Sequence, residues 1–259
     1  MSLDKVNKTC IFINSCDNTH DVAEYFLTSF EKYIRNNIFD VFIGINKKKH
    51  LKKYNFLNYI SVPKSNWQIE TKMQLDVLKK KYGYKNVIHI LDDFIFYDHT
   101  DLNDLQNLID LFNKKNLQYL CLKRMRECFL VNVANNLSLS GEISKIRESY
   151  PYYTSLQISL WNIEYFKKNI INSKSIWDFE RLQLSKNHFH VNKDFFHYNH
   201  VVEKGEWNYG SLNYIEKYVT DFKPGDRKFR NSLFGFQIFY FKKIIFFIFG
   251  FLIMRLRNN

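Results

Sequence analysis

Residues 86–96 of the chain read NVIHILDDFIF, and this stretch decides the fold. Its first half, residues 86–91, is an apolar run of the kind that lies buried inside a parallel β-sheet. The run stops at Asp92 and Asp93. Because ligands in open α/β sheets bind outside the carboxyl ends of the strands, we expect the acidic pair to lie where a ligand binds.

The acidic pair itself indicates a cation. Two adjacent carboxylates repel each other, and each is costly near a buried strand end unless a positive charge neutralises it. Mg²⁺ or Mn²⁺ suits this position, because it binds one or two protein carboxylates together with phosphate oxygens of a substrate. The alternative is a plain turn that leads into the helix beginning near Asp101. We expect a metal or nucleotide role for Asp92 and Asp93.

Strand and helix signals alternate on both sides of this stretch. Apolar residues recur every three to four positions in the predicted helices, and short β-rich runs separate them. Such alternation predicts an α/β fold built from βαβ crossovers. Strands are predicted at 9–15, 40–46, 59–62, 86–91 and 118–123, and helices at 22–34, 66–82 and 102–112.

The rhythm changes after residue 123. A hairpin or irregular segment is predicted over 129–146, with its turn near Gly141, and a strand over 152–161. Further helices are predicted at 163–171, 178–184 and 212–218. No repeat or linker interrupts the chain, which predicts one continuous domain with a C-terminal appendage.

The composition is that of a folded, basic protein. Aromatic residues make up 18% of the 259 residues, beside only 8 Gly and 3 Pro, which excludes a disordered or collagen-like chain. The net charge of +12 favours an anionic partner: nucleic acid, a membrane surface or a phosphorylated substrate. The 4 cysteines form no CxxC pair and the first residues carry no apolar signal segment, so we expect a reduced, cytoplasmic protein.

The C-terminal appendage is basic and very apolar. Residues 233–254 are almost wholly apolar, but the uninterrupted run 244–254 is well short of the ~20 residues that cross a bilayer. More than half of the net charge of +12 lies from Lys217 onward. These features predict an interfacial membrane anchor, with a helix packed on the core or on a partner as the alternative. Basic residues flank the apolar run at Arg227, Lys228, Arg230, Arg255 and Arg257.

These segments together resemble a known enzyme family. A strand, an Asp-bearing turn, a helix and a second strand, followed by VIHILDDFIF, resemble the GT-A glycosyltransferases, whose DxD-type motif follows such a strand. YPYYTSLQISLWN (150–162) and SIWDFE (175–180) resemble segments of bacterial family-2-like transferases that build O-antigen, capsule or lipooligosaccharide. The resemblance covers about residues 8–207. This chain has Asp92-Asp93-Phe94 and lacks a literal Asp-x-Asp.

The resemblance implies a fold and a domain division. The expected fold class is α/β: a GT-A-like single domain, residues 1–230, with a Rossmann-like mixed sheet flanked by helices. Residues 231–259 would form the membrane-associating tail, an amphipathic or apolar helix.

The resemblance also implies the residues on the donor side. Asp17, at the end of the first strand, would lie in the nucleotide-base pocket. Asp92 would face the ribose or diphosphate, and Asp93 would hold Mg²⁺ or Mn²⁺. Lys204, in VVEKGEWN, matches a Lys-Gly-x-Trp ending and would meet the leaving diphosphate.

On the acceptor side the resemblance implies Trp161, Asp178 and Glu180, with Glu180 as the catalytic base. The residues themselves leave alternatives open. Acidic side chains in the first turn of a helix are favoured by the helix dipole, which would account for Asp178 and Glu180. Trp161 and Trp177 would serve equally well in the core.

Four histidines crowd into residues 188–200. His188 and His190 would share one face of a strand, which is compatible with a metal pair but equally with a polar strand face. In GT-A enzymes a late histidine sometimes completes the metal shell, and this implies His197 or His200 as the better metal candidates.

These observations lead to one principal function. The chain has no GxxxxGKS/T, GxGxxG, HExxH or GxSxG motif, so kinase, dehydrogenase, zincin and hydrolase functions lose their main support. We expect an inverting glycosyltransferase at the inner face of the cytoplasmic membrane, with a UDP-sugar as favoured donor and a glycan or lipid-linked acceptor in surface polysaccharide synthesis. The alternative is a basic metal-dependent nuclease or nucleic-acid-binding protein. We expect no nucleic-acid partner, because a lipid surface accounts for both the charge and the apolar tail.

Overall fold

The computed structural model describes residues 8–34, 38–47, 54–125, 134–138, 142–148, 150, 153–171, 173, 175–181, 187–203, 205–208, 215–217, 222–230 and 241. Lys204 lies outside this part of the chain, as does the tail apart from Phe241. Their predicted roles, and the division into 1–230 and 231–259, therefore stay predictions.

The described residues form fourteen β-strands of 2 to 6 residues. They are β1 (Thr9–Asn14), β2 (Val41–Ile45), β3 (Leu57–Ser61), β4 (Asn86–Leu91), β5 (Phe94–Phe96), β6 (Tyr119–Cys121), β7 (Ala134–Ser138), β8 (Ile143–Ile146), β9 (Ser159–Asn162), β10 (His188–Val191), β11 (Tyr198–His200), β12 (Val202–Glu203), β13 (Glu206–Asn208) and β14 (Phe229–Arg230).

Nine of these strands form one mixed sheet, in the order β3-β2-β1-β4-β9-β6-β10-β8-β7. The strands from β3 to β4 run parallel to one another. β9 lies between β4 and β6 and is antiparallel to both. Within the segment 129–146, predicted as a hairpin or irregular, β7 and β8 pair antiparallel, and the predicted turn near Gly141 lies outside the described residues. The mixed α/β sheet confirms the predicted fold class.

Among the described residues, five α-helices flank the sheet. They are α1 (His20–Tyr33), α2 (Trp67–Tyr82), α3 (Leu102–Lys114), α4 (Ile163–Ile170) and α5 (Ile176–Arg181). The ends of α2 follow from its sequence: the Asn66 side chain accepts a hydrogen bond from the Ile69 N–H, and Gly83 ends the helix with a φ of 76°. Among the helices that the structure describes, none is long and apolar enough to cross a membrane.

The core lies on both faces of the sheet. Side chains alternate along β1, so Ile11 and Ile13 pack with α1 and α3, whereas Cys10 and Phe12 pack with α2, α4 and α5. Cys10 is a free, fully buried thiol. A buried free cysteine behaves as a small hydrophobic side chain.

The segment before β9 differs from its prediction. A strand was expected over 152–161, but regular pairing begins only at Ser159. The preceding backbone bonds to side chains instead: the Ser155 N–H donates to the Tyr119 hydroxyl (3.2 Å), and the Leu156 N–H donates to Glu180 Oε1 (2.9 Å). These bonds leave the segment irregular and tie it to α5.

Candidate active site

The candidate site lies at the carboxyl ends of β1, β2 and β4. Because these strands are parallel and in register, Asn14 at the end of β1 pairs with Gly44 of β2 and with Leu91 of β4. The acidic pair follows Leu91 directly, in the turn between β4 and β5. It therefore lies at the sheet edge where the sequence predicted a ligand.

Asp17 holds the ends of β1 and β2 together. Its Oδ1 accepts hydrogen bonds from the Asn46 N–H (3.2 Å) and from the Lys47 N–H (3.0 Å). The residue belongs to a short 3₁₀ helix, Asp17–Thr19, that leads into α1. This geometry places Asp17 at the predicted edge, and its role in a nucleotide-base pocket stays a prediction.

Asp92 is the buried member of the acidic pair, with 6% of its surface exposed. Its Oδ2 accepts a hydrogen bond from the Thr19 hydroxyl. Burial and the adjacent Asp93 raise the pKa of Asp92 to about 7, although hydrogen bonds from Ser15 and Thr19 oppose this shift. At neutral pH the carboxyl is therefore only partly ionised, and a bound cation would favour its charged form.

We expect Asp92→Asn to stabilise the fold. The folded-state pKa lies above the ordinary value, so unfolding releases a proton, and the stability of the wild type falls as the pH rises from about 4 to about 7. The shift corresponds to roughly 2–4 kcal/mol at pH 8. Urea unfolding should give a higher free energy of unfolding for Asp92→Asn than for the wild type. This difference should grow as the pH rises over this range and stay constant above it. Asp110→Asn, on an exposed part of α3, is the control, and a gap independent of pH would contradict the prediction.

Asp93 is paired with a histidine that lies far away in the sequence. His200 Nε2 is 2.7 Å from Asp93 Oδ2, across 107 residues. β11 and β5 pair antiparallel with His200 opposite Phe94, and the Val201 N–H donates to the Asp93 carbonyl (2.9 Å). The pairing of these two strands is what brings His200 to the acidic pair.

The carboxylate of Asp93 favours the protonated form of His200. Desolvation of the partly exposed ring opposes protonation, but the charge and the hydrogen bond of Asp93 raise the pKa of His200, and the charges of Glu203 and Glu180 add to this. Of the two late histidines, His200 is thus the one in contact with the acidic pair. His197 faces Tyr97 instead, with ring centroids 6.0 Å apart.

One carboxylate oxygen of this site is available to bind a divalent cation. Asp93 Oδ1 is buried and, within the described residues, has no hydrogen-bond partner. Such an atom is a suitable ligand for Mg²⁺ or Mn²⁺. The described part of the chain contains no group of three or more His, Cys, Asp and Glu residues that could hold a metal. Substrate phosphate oxygens or water would have to provide further ligands.

Glu180 lies on α5 and is held by the irregular segment before β9. Its Oε1 accepts hydrogen bonds from the Leu156 N–H (2.9 Å) and from the Ser155 hydroxyl (3.4 Å). Burial raises the pKa of Glu180, against these hydrogen bonds and the charge of His200. The carboxylate is thereby more basic than an exposed one, which is the property a general base needs.

The neighbour of Glu180 in the sequence anchors the helix. Phe179 is fully buried, and its ring lies 5.8 Å from each of three aromatic rings. Those rings belong to Trp67, Trp161 and Phe166. The helix is short, and this packing fixes the direction in which Glu180 points.

The structure places Trp161 in the core. It is fully buried on β9, with its ring stacked 4.4 Å from that of Phe166. An indole without exposed surface offers no face to a sugar, so the core position is the correct one of the two alternatives. Asp178 lies in the first turn of α5 and its N–H donates to the Ser175 hydroxyl (3.1 Å), which fits a helix-terminal charge. Its acceptor role stays a prediction.

His188 and His190 do not form a metal pair. The His188 ring stacks on Tyr153 at 4.5 Å and its Nε2 lies 2.7 Å from the Tyr165 hydroxyl. Burial lowers the pKa of His188 to about 4. His190 Nδ1 lies 2.8 Å from the Val191 carbonyl. Both residues belong to the buried sheet.

Sequence reasoning assigned Arg227 to lipid binding, and the structure corrects this. Its side chain is 12% exposed and forms an ion pair with Asp21 at 2.7 Å. The guanidinium is therefore committed to the start of α1. Thr19, which bonds Asp92, was also missed, because a lone Thr in a turn carries no signal beyond helix capping.

Neither a protein-family model nor a curated protein matches this chain. Solved structures that align with it include a TarS fragment from S. aureus in complex with UDP-GlcNAc, at 12% identity and a TM-score of 0.47. That alignment covers 77% of this chain and 60% of the TarS fragment. A cytidylyltransferase from Leptospira borgpetersenii aligns at 12% identity and a TM-score of 0.40, over 67% of this chain and 68% of that one. A197 from STIV aligns at 10% identity and a TM-score of 0.37, over 75% of this chain and 86% of A197. This chain thus spans less than two thirds of the TarS fragment, and likeness at this level carries no argument about function.

Proposed function

We propose that this chain is a glycosyltransferase that uses a nucleotide-sugar donor. The observation that carries the proposal is the arrangement at the carboxyl ends of β1 and β4. There the acidic pair follows a buried parallel strand, His200 contacts Asp93, and the charge of Glu180 acts on His200. We propose that these groups belong to one site, in which Asp93 would bind a cation and Glu180 is a carboxylate of raised pKa.

The donor side consists of Asp17, Asp92 and Asp93. In this proposal Asp17 lies beside the nucleobase and Asp92 faces the ribose or diphosphate. Asp93 Oδ1 would hold Mg²⁺ or Mn²⁺, and the ion supplies positive charge that stabilises the leaving diphosphate. A UDP-sugar is the favoured donor, and Lys204 is proposed to meet its diphosphate.

The acceptor side contains Glu180, with Asp178 nearby on α5. Glu180 would accept the proton of the attacking acceptor hydroxyl, and that hydroxyl would attack the anomeric carbon opposite the leaving nucleotide diphosphate. This mechanism gives a product of inverted anomeric configuration. The resemblance of SIWDFE to bacterial transferase segments supports a glycan or lipid-linked acceptor in surface polysaccharide synthesis.

A thermal-shift panel tests the donor. UDP-, GDP-, CMP- and dTDP-sugars would be added with and without Mn²⁺, beside a salt series on single-stranded DNA. We expect one class of nucleotide-sugar to raise the melting temperature, and to raise it further with Mn²⁺, because a ligand that binds only the folded state stabilises it. Stabilisation by DNA alone, with a steep salt dependence, would support the nuclease alternative instead.

The apolar tail is proposed to hold the enzyme at the inner leaflet of the cytoplasmic membrane. Deleting residues 233–259 should abolish co-sedimentation with anionic vesicles and leave activity on a soluble acceptor analogue unchanged. Each basic residue near an anionic surface contributes about 1 kcal/mol, so binding should also weaken with salt. Cleavage after residue 232 spares every described contact of β14. Unfolding or aggregation of the truncated chain would show that the tail is part of the core.

A further inference from the structure

Residues 222–230, called here the C-terminal strap, return to the start of the fold. The Tyr25 hydroxyl donates to the Lys223 carbonyl (2.7 Å) and accepts from the Lys223 N–H (2.9 Å). The Trp207 indole donates to the Pro224 carbonyl (2.9 Å). Phe222 packs edge-on against both rings, at 5.0 and 5.2 Å. The strap is thus fastened to α1 and to β13.

Arg227 is the polar centre of the strap. Its Nε and one terminal nitrogen bind the two carboxylate oxygens of Asp21 at 2.9 and 2.7 Å. The same terminal nitrogen donates to the Asn18 carbonyl (3.2 Å), and the other donates to the Gly205 carbonyl (2.7 Å). Only an arginine offers this planar fork of donors, because a lysine ammonium carries a single nitrogen.

One of the segments that Arg227 joins contacts the candidate site, and the other belongs to the pair β12 and β13, which directly follows Val201, whose N–H donates to the Asp93 carbonyl. Asn18 precedes Thr19, whose hydroxyl bonds Asp92. Gly205 directly follows Lys204, and its φ of 82° is a backbone conformation that residues other than glycine rarely adopt. Two backbone hydrogen bonds hold β13 beside this turn. The Trp207 N–H donates to the Lys228 carbonyl (2.8 Å), and the Asn208 N–H donates to the Val201 carbonyl (2.7 Å).

The guanidinium also lies within electrostatic reach of Asp92. A hydrogen bond from Arg227 to Asp21 raises the pKa of Arg227, against burial, and the charge of Asp92 adds to this. Four of its five N–H donors are already bonded to protein. Arg227 therefore acts through the segments it joins and is not placed to bind a substrate with its fork.

We propose that Arg227 is a positioning residue that holds the Gly205 turn against the start of α1 and so completes the donor side of the site. This inference rests on the proposed function. It assigns the strap to donor binding, and it predicts that loosening Arg227 weakens binding of the donor without slowing the transfer step.

Kinetics with varied donor at saturating acceptor test the proposal. Arg227→Gln should raise the donor KM at least ~10-fold and leave kcat within about 3-fold, because the variant loses binding shared by ground and transition states. The donor KM of Arg227→Lys should lie between those of the wild type and Arg227→Gln, since lysine keeps the charge facing Asp21 and loses the fork of donors. Asp21→Asn loosens the same contact from the other side and should resemble Arg227→Gln.

Lys167→Gln is the matched control. Lys167 is 14% exposed, close to the 12% of Arg227, and it forms ion pairs with Asp76 (2.6 Å) and Glu164 (3.0 Å). The Asp76 pair joins α2 to α4, the Glu164 pair lies within α4, and α4 begins beside the amino end of β4, where Asn162 pairs with Asn86. The control should lose stability at most, with an unchanged donor KM.

Hydrogen exchange provides a readout that needs no turnover. The amides of Trp207 and Asn208 should exchange faster in Arg227→Gln, whereas those of β4 should not change. A donor KM that stays at the wild-type value in Arg227→Gln and Asp21→Asn would overturn the proposal, as would unchanged exchange at the turn. If the wild type uses no nucleotide-sugar, the proposed function fails, and exchange alone then decides whether Arg227 holds the turn.

Discussion

Glu180→Gln is expected to lower kcat at least about a hundredfold while the donor KM stays near the wild-type value. Glutamine keeps the shape of the side chain, and its carbonyl oxygen can still accept the Leu156 N–H that binds Glu180 Oε1 at 2.9 Å. It has no basic oxygen to take the proton of the acceptor hydroxyl, and a positioned base contributes typically 10²–10⁴-fold. The rate would be measured with a donor identified by thermal shift and a soluble acceptor analogue.

The same experiment has a pH dependence and a control. Burial raises the pKa of Glu180, so the acid limb of the wild-type kcat profile should lie above the ordinary range of a glutamate and should vanish in Glu180→Gln. Glu164→Gln, on the exposed face of α4, should leave kcat unchanged. A product that keeps the anomeric configuration of the donor, or a variant of near wild-type rate, would refute the role of Glu180 as base.

Asp93→Ala is expected to abolish transfer with little loss of fold. The substitution removes the oxygen that would hold the cation, and the loss of such a charge-stabilising group costs about 10²–10³-fold or more in rate. The fold should persist because the contact with His200 is partly exposed, at 40% for His200 and 19% for Asp93, and such pairs contribute little to stability. Activity, circular dichroism melting and the response to Mn²⁺ would be compared with the wild type.

Asp93→Asn separates the charge from the shape. Asparagine retains a hydrogen-bonding partner for His200 but carries no negative charge. Because that charge is what would hold the cation, this variant should be as inactive as Asp93→Ala. In both variants the pKa of His200 should fall, because the charge of Asp93 raises it in the wild type. This is measurable by NMR titration of the imidazole. A variant that retains full kcat and the wild-type response to Mn²⁺ would show that Asp93 holds no cation.

Prediction from the sequence worked where neighbours along the chain decide the outcome. The apolar run ending at Leu91 must be buried, and the charges that follow it must leave the sheet, so the position of Asp92 and Asp93 could be predicted. The ends of α2 are equally local, because Asn66 and Gly83 satisfy backbone groups within one turn.

Prediction was wrong or silent where distant parts of the chain meet. The side chains of residues 152–161 alternate as a strand would require, yet Tyr119 and Glu180 bind the backbone of the first half. Trp161 is a residue of the type that stacks on sugars, and only its packing against Phe166 shows that it belongs to the core. Arg227 looked like one of several tail charges until its contact with Asp21, across 206 residues, was seen.

The sequence by itself determined the α/β class, the strand that delivers the acidic pair, and the residue types of the candidate site. Each depends on local hydrophobic period and capping, which act over a few residues. Only the tertiary structure decided that His200 contacts Asp93, that Glu180 is held by the segment before β9, and that Arg227 closes the Gly205 turn. Those contacts depend on which strands pair and where a buried charge finds a partner, and such free energies arise only once the chain has packed.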